Sequence, residues 1–176
     1  MKLMIASDIH GSAFYCEQML EAYRREGADR LLILGDILYH GPRNDLPEGY
    51  APKEVIAMLN PMKTHLLCVR GNCDTEVDQM VLEFPVMADY CFLELPAGGA
   101  KEREEEPERT DDCMETISIF ATHGHVYHPN HLPPMKNGDI LLNGHTHIPA
   151  CEELTDTRGN RYRYLNPGSV SIPKEG

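Results

Sequence analysis

Five short apolar runs in this chain each stop at residues able to hold a cation or a proton. Leu3-Met4-Ile5-Ala6 runs into Asp8 and His10, Leu31-Leu32-Ile33-Leu34 into Asp36, and Leu66-Leu67-Cys68-Val69 into Asn72. Ile117 to Ala121 leads to His123, and Ile140-Leu141-Leu142 to His145 and His147. Apolar runs of this length, bounded by turn residues, read as buried strands. A polar side chain at the exit of such a strand stands where open α/β sheets carry their chemistry. The recurrence constrains the fold, because the strands must deliver oxygen and imidazole groups to one shared edge.

The order of the elements agrees. A strand at Lys2-Ser7 precedes a helix that Ser12 caps and Gly27 stops, with Phe14, Met19, Leu20 and Tyr23 at helical spacing. A strand at Arg30-Leu34 then leads into a Pro- and Gly-rich loop from His40 to Tyr50. Pro52 opens a second helix, where its missing N–H costs nothing, and His65-Val69 is the third strand. Strand, helix, strand, helix, strand implies parallel pairing through right-handed crossovers. Asp74 is expected to cap a short helix through Leu82.

Past Pro85 the rhythm changes to strands with shorter links: Tyr90-Leu95, Met114-Ala121, Asp139-Asn143, Cys151-Thr155 and Arg161-Leu165. The last two face each other across Asp156 to Asn160 as a hairpin. Between the first two lie Ala97 to Ala100 and the acidic run Lys101 to Asp112, which read as a solvated, flexible hairpin tip at about 98–113. Segments so poor in apolar residues cannot offset the entropy of their own ordering. The architecture inferred is an α/β sandwich, parallel in its first half and more antiparallel in its second.

Composition sets the outer limits. A chain of 176 residues suffices for one domain with a proper core, taken here as 1–176. Its formal charge of −12 and the lack of an aromatic-basic strip argue against a nucleic-acid partner. No window approaches the roughly 20 apolar residues of a membrane span, and Ser7-Asp8 interrupts the opening apolar run too early for a signal peptide. Six cysteines without Cys-x-x-Cys spacing read as reduced and cytoplasmic.

Divalent metals of the Mn, Fe and Zn class accept carboxylate, imidazole and amide oxygen together, the mixture offered by Asp8, His10, Asp36, Asn72, His123, His145 and His147. In extended backbone, alternate side chains share a direction, so Asp-x-His and His-x-His can each aim two ligands into one cleft. Seven ligands exceed the needs of one ion, which suggests two with a shared carboxylate. Two ions about 3.5–4 Å apart can hold the attacking and leaving oxygens of a displacement at phosphorus, so phosphate-ester hydrolysis is the natural chemistry. A turn or a cap accounts for any one of these residues alone. It does not account for all five motifs at successive strand ends.

Ser7-Asp8-Ile9-His10-Gly11, Gly35-Asp36, Gly71-Asn72-Cys73-Asp74, Thr122-His123-Gly124-His125 and Gly144-His145-Thr146-His147 resemble, in order, the signature blocks of the calcineurin-like metallophosphoesterases. His40 to Asn44, Leu46 to Pro52, Arg70 to Met80 and Asn166 to Pro173 resemble the small bacterial YfcE-type phosphodiesterases within them. The resemblance implies an αββα sandwich of two mixed β-sheets flanked by helices, and a phosphodiesterase acting on small esters. It implies that Asp8, His10 and His147 bind a first metal, that Asn72, His123 and His145 bind a second, and that Asp36 bridges both. Manganese is the expected ion, with iron, zinc, nickel or magnesium as alternatives, and a hydroxide between the ions the expected nucleophile.

Two departures from the family pattern carry expectations of their own. Many members have His after the Asn of the third block, where it is thought to protonate the leaving group; here the residue is Cys73. Beside two cations that thiol would tend toward thiolate, a poor acid, which favours substrates whose leaving group departs unaided. His40 is the candidate substitute acid, Arg43 could pair with a substrate phosphate, and Arg70 is expected to orient the metal loop from behind. Relatives continue past the Asn-Pro-Gly-Ser block with further strands, so an uncovered sheet edge inviting a homo-oligomer is expected. A non-catalytic scaffold like the retromer subunit of the same fold, and a nuclease, are the rival readings. The full histidine set opposes the first and the acidic balance the second.

Overall fold

Parallel pairing of the first three strands rests on how completely they are buried. The computed structural model describes residues 1–96 and 116–174, so the acidic tip and Cys113 lie outside the described residues. Strands β1 (Leu3–Ala6), β2 (Arg30–Ile33) and β3 (Leu66–Cys68) form a parallel sheet in that order. In the central strand Leu31, Leu32 and Ile33 are wholly buried, the continuous apolar pattern that a sheet covered on both faces requires.

Helices α1 (Ala13–Glu26) and α2 (Pro52–Leu59) cover one face of this sheet. Ser12 caps α1, its Oγ accepting from Tyr15 N at 3.2 Å, and Gly27 ends it with φ of 58°. The buried stripe of α1 is Ala13, Cys16, Met19, Leu20 and Tyr23. Phe14, expected on that stripe, is 45% exposed, because Ala13, Cys16 and Leu20, at successive turns, hold the inward positions. Asn60–Met62 closes α2 with a 3-10 turn.

The other face of the first sheet packs on a second sheet. Its strands are β4 (Tyr90–Pro96), β5 (Thr116–Thr122), β6 (Ile140–Leu142), β7 (Ala150–Thr155) and β8 (Arg161–Asn166), ordered β4-β5-β6-β8-β7. β4 and β7 run antiparallel to their neighbours, whereas β5, β6 and β8 are mutually parallel. Leu32, Leu34 and Val69 meet Ile119, Ala121 and Leu142 between the sheets, while Leu31 and Ile33 turn to the helices. The sandwich expected from sequence is present, with its first sheet purely parallel among the described strands.

The outer face of the second sheet differs from the expectation of flanking helices. Among the described residues, Phe120, Leu141 and Tyr164 are covered there by Tyr127, Leu132 and Met135 of an irregular connection. Its prolines, Pro129, Pro133 and Pro134, lack the N–H that a helix interior needs. Asp74 also departs from expectation: helix α3 (Glu76–Val81) is capped by Thr75 in a box with Asp78, and Asp74 turns inward instead. No helix among the described residues is long and apolar enough to cross a membrane.

Leu32 touches the core between the sheets and has no exposed surface. Truncating it removes buried methyl groups and leaves a cavity, so Leu32→Ala should cost about 2–5 kcal/mol. Urea unfolding is the check: the midpoint should fall with the slope unchanged, and an unaltered midpoint would contradict this placement.

Candidate metal centre

The backbone marks the site before any side chain is considered. Among the described residues, five non-glycine positions have positive φ: Asp8 at 58°, His10 at 50°, Asp36 at 54°, His145 at 65° and His147 at 64°. Left-handed backbone is uncommon for residues with a Cβ, and where it persists it tends to cluster at functional sites. All five belong to the ligand set expected from sequence. Parallel strands β1, β2, β3, β5 and β6 bring these residues, with Asn72 and His123, to one edge of the sandwich.

Close approach of the turns depends on glycine. A Cβ on Gly71 would strike the Asp36 carboxylate and backbone, and one on Gly144 would strike Ser7 Oγ and the Asp8 carboxylate. Asp74 ties the loops from beneath, accepting from Asp36 N at 2.8 Å, Ile37 N at 2.9 Å and Gly71 N at 2.7 Å. Sequence reasoning assigned Asp74 only a helix cap. Its place within Gly71-Asn72-Cys73-Asp74 was the available signal.

The carboxylates are oriented by their own hydrogen bonds. Asp8 Oδ2 accepts from Ser7 Oγ at 2.5 Å and from His145 N at 3.0 Å. Its other oxygen, Oδ1, is buried without a hydrogen-bond partner, 3.3 Å from His147 Nε2, 3.5 Å from His10 Nε2 and 4.0 Å from His123 Nε2. Asp36 Oδ1 accepts from Cys73 N at 2.8 Å, which leaves Oδ2 3.4 Å from His123 Nε2 and 3.9 Å from His10 Nε2.

The imidazoles are oriented by carbonyls, which can only accept. His10 Nδ1 donates to Tyr39 O at 2.7 Å, His123 Nδ1 to Leu34 O at 2.7 Å and His147 Nδ1 to Ile172 O at 2.8 Å. Each ring thereby turns its Nε2 toward the carboxylates, as metal-binding histidines do. His10 Nε2 lies 3.1 Å from His147 Nε2, and His123 Nε2 lies 3.2 Å from His145 Nδ1 and 3.0 Å from Asn72 Oδ1. Lone pairs facing one another at these distances, around an orphaned carboxylate oxygen, suit a cation between them. Asp8 with His10 and His147, and Asp8 with Asp36 and His123, each place their ligating atoms within 4.8 Å of one another.

Electrostatics follow from this crowding. Burial opposes charge on Asp8, yet its contacts with His10 and His147 hold it well below the usual carboxylate range. Burial likewise opposes a proton on His123, but the hydrogen bond and attraction of Asp36 outweigh it and push the ring up to about 9. His145 goes the other way, down to about 4, through burial and the neighbouring His123 charge. Burial first, then the Asp36 and Asp74 carboxylates, push the Cys73 thiol up to about 12. The thiolate expected from sequence presupposed bound cations; without them Cys73 sits in acidic surroundings and keeps its proton.

The remaining candidates separate. Arg43 lines the cleft above the ligands, whereas His40 is held edge-on between Tyr39 and Tyr50 and is not among the lining side chains. Arg70 pairs with Asp89 at 3.2 Å, and its N–H donates to Ala88 O at 2.7 Å, behind the Asn72 turn. Asn166 to Ser169 pack under the site: Asn166 Nδ2 donates to Gly144 O at 2.8 Å and Ser169 Oγ to Asp8 O at 2.8 Å. His128 and His131 pair with each other through backbone.

A pH dependence follows for the metal-free protein. His123, raised to about 9 from an unfolded value near 6.5, contributes stability that is complete below pH 6.5 and lost as pH climbs through 9. His145, lowered to about 4, makes stability fall as pH drops from 6.5 toward 4. Denaturant midpoints of the chelator-treated protein should therefore peak near pH 6.5 and decline on both sides. Manganese binding at pH 7.5 should expel about one proton, read by calorimetry in buffers of different ionisation enthalpy. A flat profile with no proton release would contradict the arrangement.

Comparison with known proteins gives the geometry its family. The profile of the calcineurin-like phosphoesterase superfamily domain matches residues 1–176. Phosphodiesterase YfcE of Escherichia coli K12 is 46% identical over 176 residues, spanning 100% of this chain and 83% of its own length, and the O157:H7 protein gives the same figures. The solved structure of YfcE, a phosphoesterase from E. coli, has a TM-score of 0.80 at 45% identity, covering 100% of this chain and 84% of that one. An archaeal phosphodiesterase at 22% identity shares the fold, with a TM-score of 0.56 over 96% of this chain and 84% of its own. The cluster of left-handed turns, carboxylates and imidazoles thus sits within a full-length match, and the chain belongs to the calcineurin-like phosphoesterase superfamily.

Proposed function

We propose that this protein is a two-metal phosphodiesterase that hydrolyses small phosphate esters. The observation that carries the reading is the position of Asp36 Oδ2, 3.4 Å from His123 Nε2 and 3.9 Å from His10 Nε2, between two groups of nitrogen ligands. Asp8, His10 and His147 would hold one ion, Asn72, His123 and His145 the other, and Asp36 both. Divalent cations there, manganese first among them, would polarise phosphate oxygens and lower the pKa of bound water to about 7. The E. coli relative is named a phosphodiesterase, which supports the ester class.

The chain's own residues do the positioning. Carbonyls of Tyr39, Leu34 and Ile172 hold three imidazoles by Nδ1, so their Nε2 atoms already face the carboxylates where a cation would sit. Arg43, in the cleft wall, pairs with a non-bridging phosphate oxygen. Neither sequence candidate for the leaving-group acid is well placed: His40 is not among the cleft's lining residues, and a Cys73 thiol beside two bound cations would tend toward thiolate, a poor acid. The enzyme is therefore suited to diesters with acidic leaving groups, such as aryl esters. The described cysteines are free, in keeping with a reducing, cytoplasmic setting.

Hydrolysis of bis(4-nitrophenyl) phosphate with added manganese tests the reading. Turnover should appear with the metal and fall more than about a hundredfold in Asp36→Asn, since even outer partners of metal ligands are worth 10–100-fold. Circular dichroism should show the variant folded. Absence of turnover with every divalent ion tried would overturn the proposal.

A further inference from the structure

The cleft above the ligands, about 330 Å³ in volume, has two cationic side chains in its walls, Arg43 and Lys174. Among the described residues neither is paired with a carboxylate; the ion pairs of other Lys and Arg side chains use Lys2, Arg25, Lys63 and Arg70. Other described Lys and Arg side chains also lack an ion pair; what sets Arg43 and Lys174 apart is their place in the wall of this cleft, beside buried carboxylates.

Lys174 is held there by its backbone. Its N–H donates to His147 O at 3.0 Å, while His147 Nδ1 donates to Ile172 O at 2.8 Å, so the segment and the ligand grip each other twice. Val170 N donates to Ser7 O at 2.9 Å, and Ser169 Oγ and Ser171 Oγ both donate to Asp8 O. The segment from 169 to 174 is thus fastened to β1's exit and to His147, and the Lys174 backbone cannot drift from the metal centre.

Charge balance gives Lys174 its task. A scissile phosphodiester carries one negative charge, which the bound cations and Arg43 already meet. We infer that Lys174 positions a second anionic group, a phosphate or carboxylate, that the substrate carries beside the scissile ester; this rests on the phosphodiesterase reading above. A compact ammonium on a flexible stem suits that role, because it recognises charge without demanding the planar geometry that guanidinium does. The substrate class is then a small phosphodiester with a further negative charge.

A matched pair of probes tests this: thymidine 5′-(4-nitrophenyl phosphate), and the same compound carrying a 3′-phosphate. The native enzyme should favour the second in KM by about fivefold, the scale of one solvent-accessible charge pair. Raising salt should erode the preference. Lys174→Gln should abolish the preference and Lys174→Arg should retain most of it. Calorimetry with thymidine 3′,5′-bisphosphate against thymidine 5′-monophosphate, on manganese-loaded protein, reads the same discrimination without turnover. If neither ester were hydrolysed but the bisphosphate bound tighter in a Lys174-dependent way, the catalytic proposal would fail and the subsite would stand. Equal affinity for both nucleotides in the native protein, or equal loss for both probes in Lys174→Gln, would overturn it.

Discussion

Two carboxylates and four imidazoles meet in a space too small for them to ignore one another, and the rest of the structure is arranged around keeping them there. Asp8 Oδ1 has no hydrogen-bond partner, although it is fully buried. A buried carboxylate oxygen left without a hydrogen bond is costly to a fold. Five of the residues concerned also adopt left-handed backbone, which for non-glycine residues costs on the order of 1 kcal/mol each. Summed, the strain rivals the net stability of a small domain. A cation would reverse the sign of this arrangement: the same oxygens and lone pairs that repel one another would become its ligands, and its binding would stabilise the fold.

The scaffold supplies the opposing stability in two ways. Burial of β2 on both faces, with Leu31 and Ile33 against helices and Leu32 against the second sheet, gives the strand that ends at Asp36 a rigid base. Direct ties between turns then fix the register of ligands from different strands. Asp74 joins the Asp36 and Asn72 turns through three backbone N–H groups, and the 169–174 segment joins the Asp8 turn to His147. Burial pushes the Asp74 carboxyl above its ordinary range despite those hydrogen bonds, so this clamp is itself held at some electrostatic cost.

What could be read from sequence, and what could not, divides along physical lines. Strand exits were legible because a run such as Leu31 to Leu34 has one plausible fate and Asp36 must follow it into the open. Asp8, His10, His145 and His147 were legible because Asp-x-His and His-x-His are not patterns that turns require. Asp74 was misread because an acid before a short helix has a ready local use, and nothing local reveals that Thr75 takes it. Lys174 was missed because its place depends on a long-range contact with His147, which no spacing encodes. The irregular cover on the outer face of the second sheet was not legible, because Tyr127, Leu132 and Met135 follow neither strand nor helix spacing.

Anomalous diffraction from crystals grown with manganese and without chelator bears on the central claim most directly. The account predicts two peaks about 3.5–4 Å apart, one beside Asp8, His10 and His147, the other beside Asn72, His123 and His145, with Asp36 Oδ2 between them. A single peak, or none in excess manganese, would contradict it.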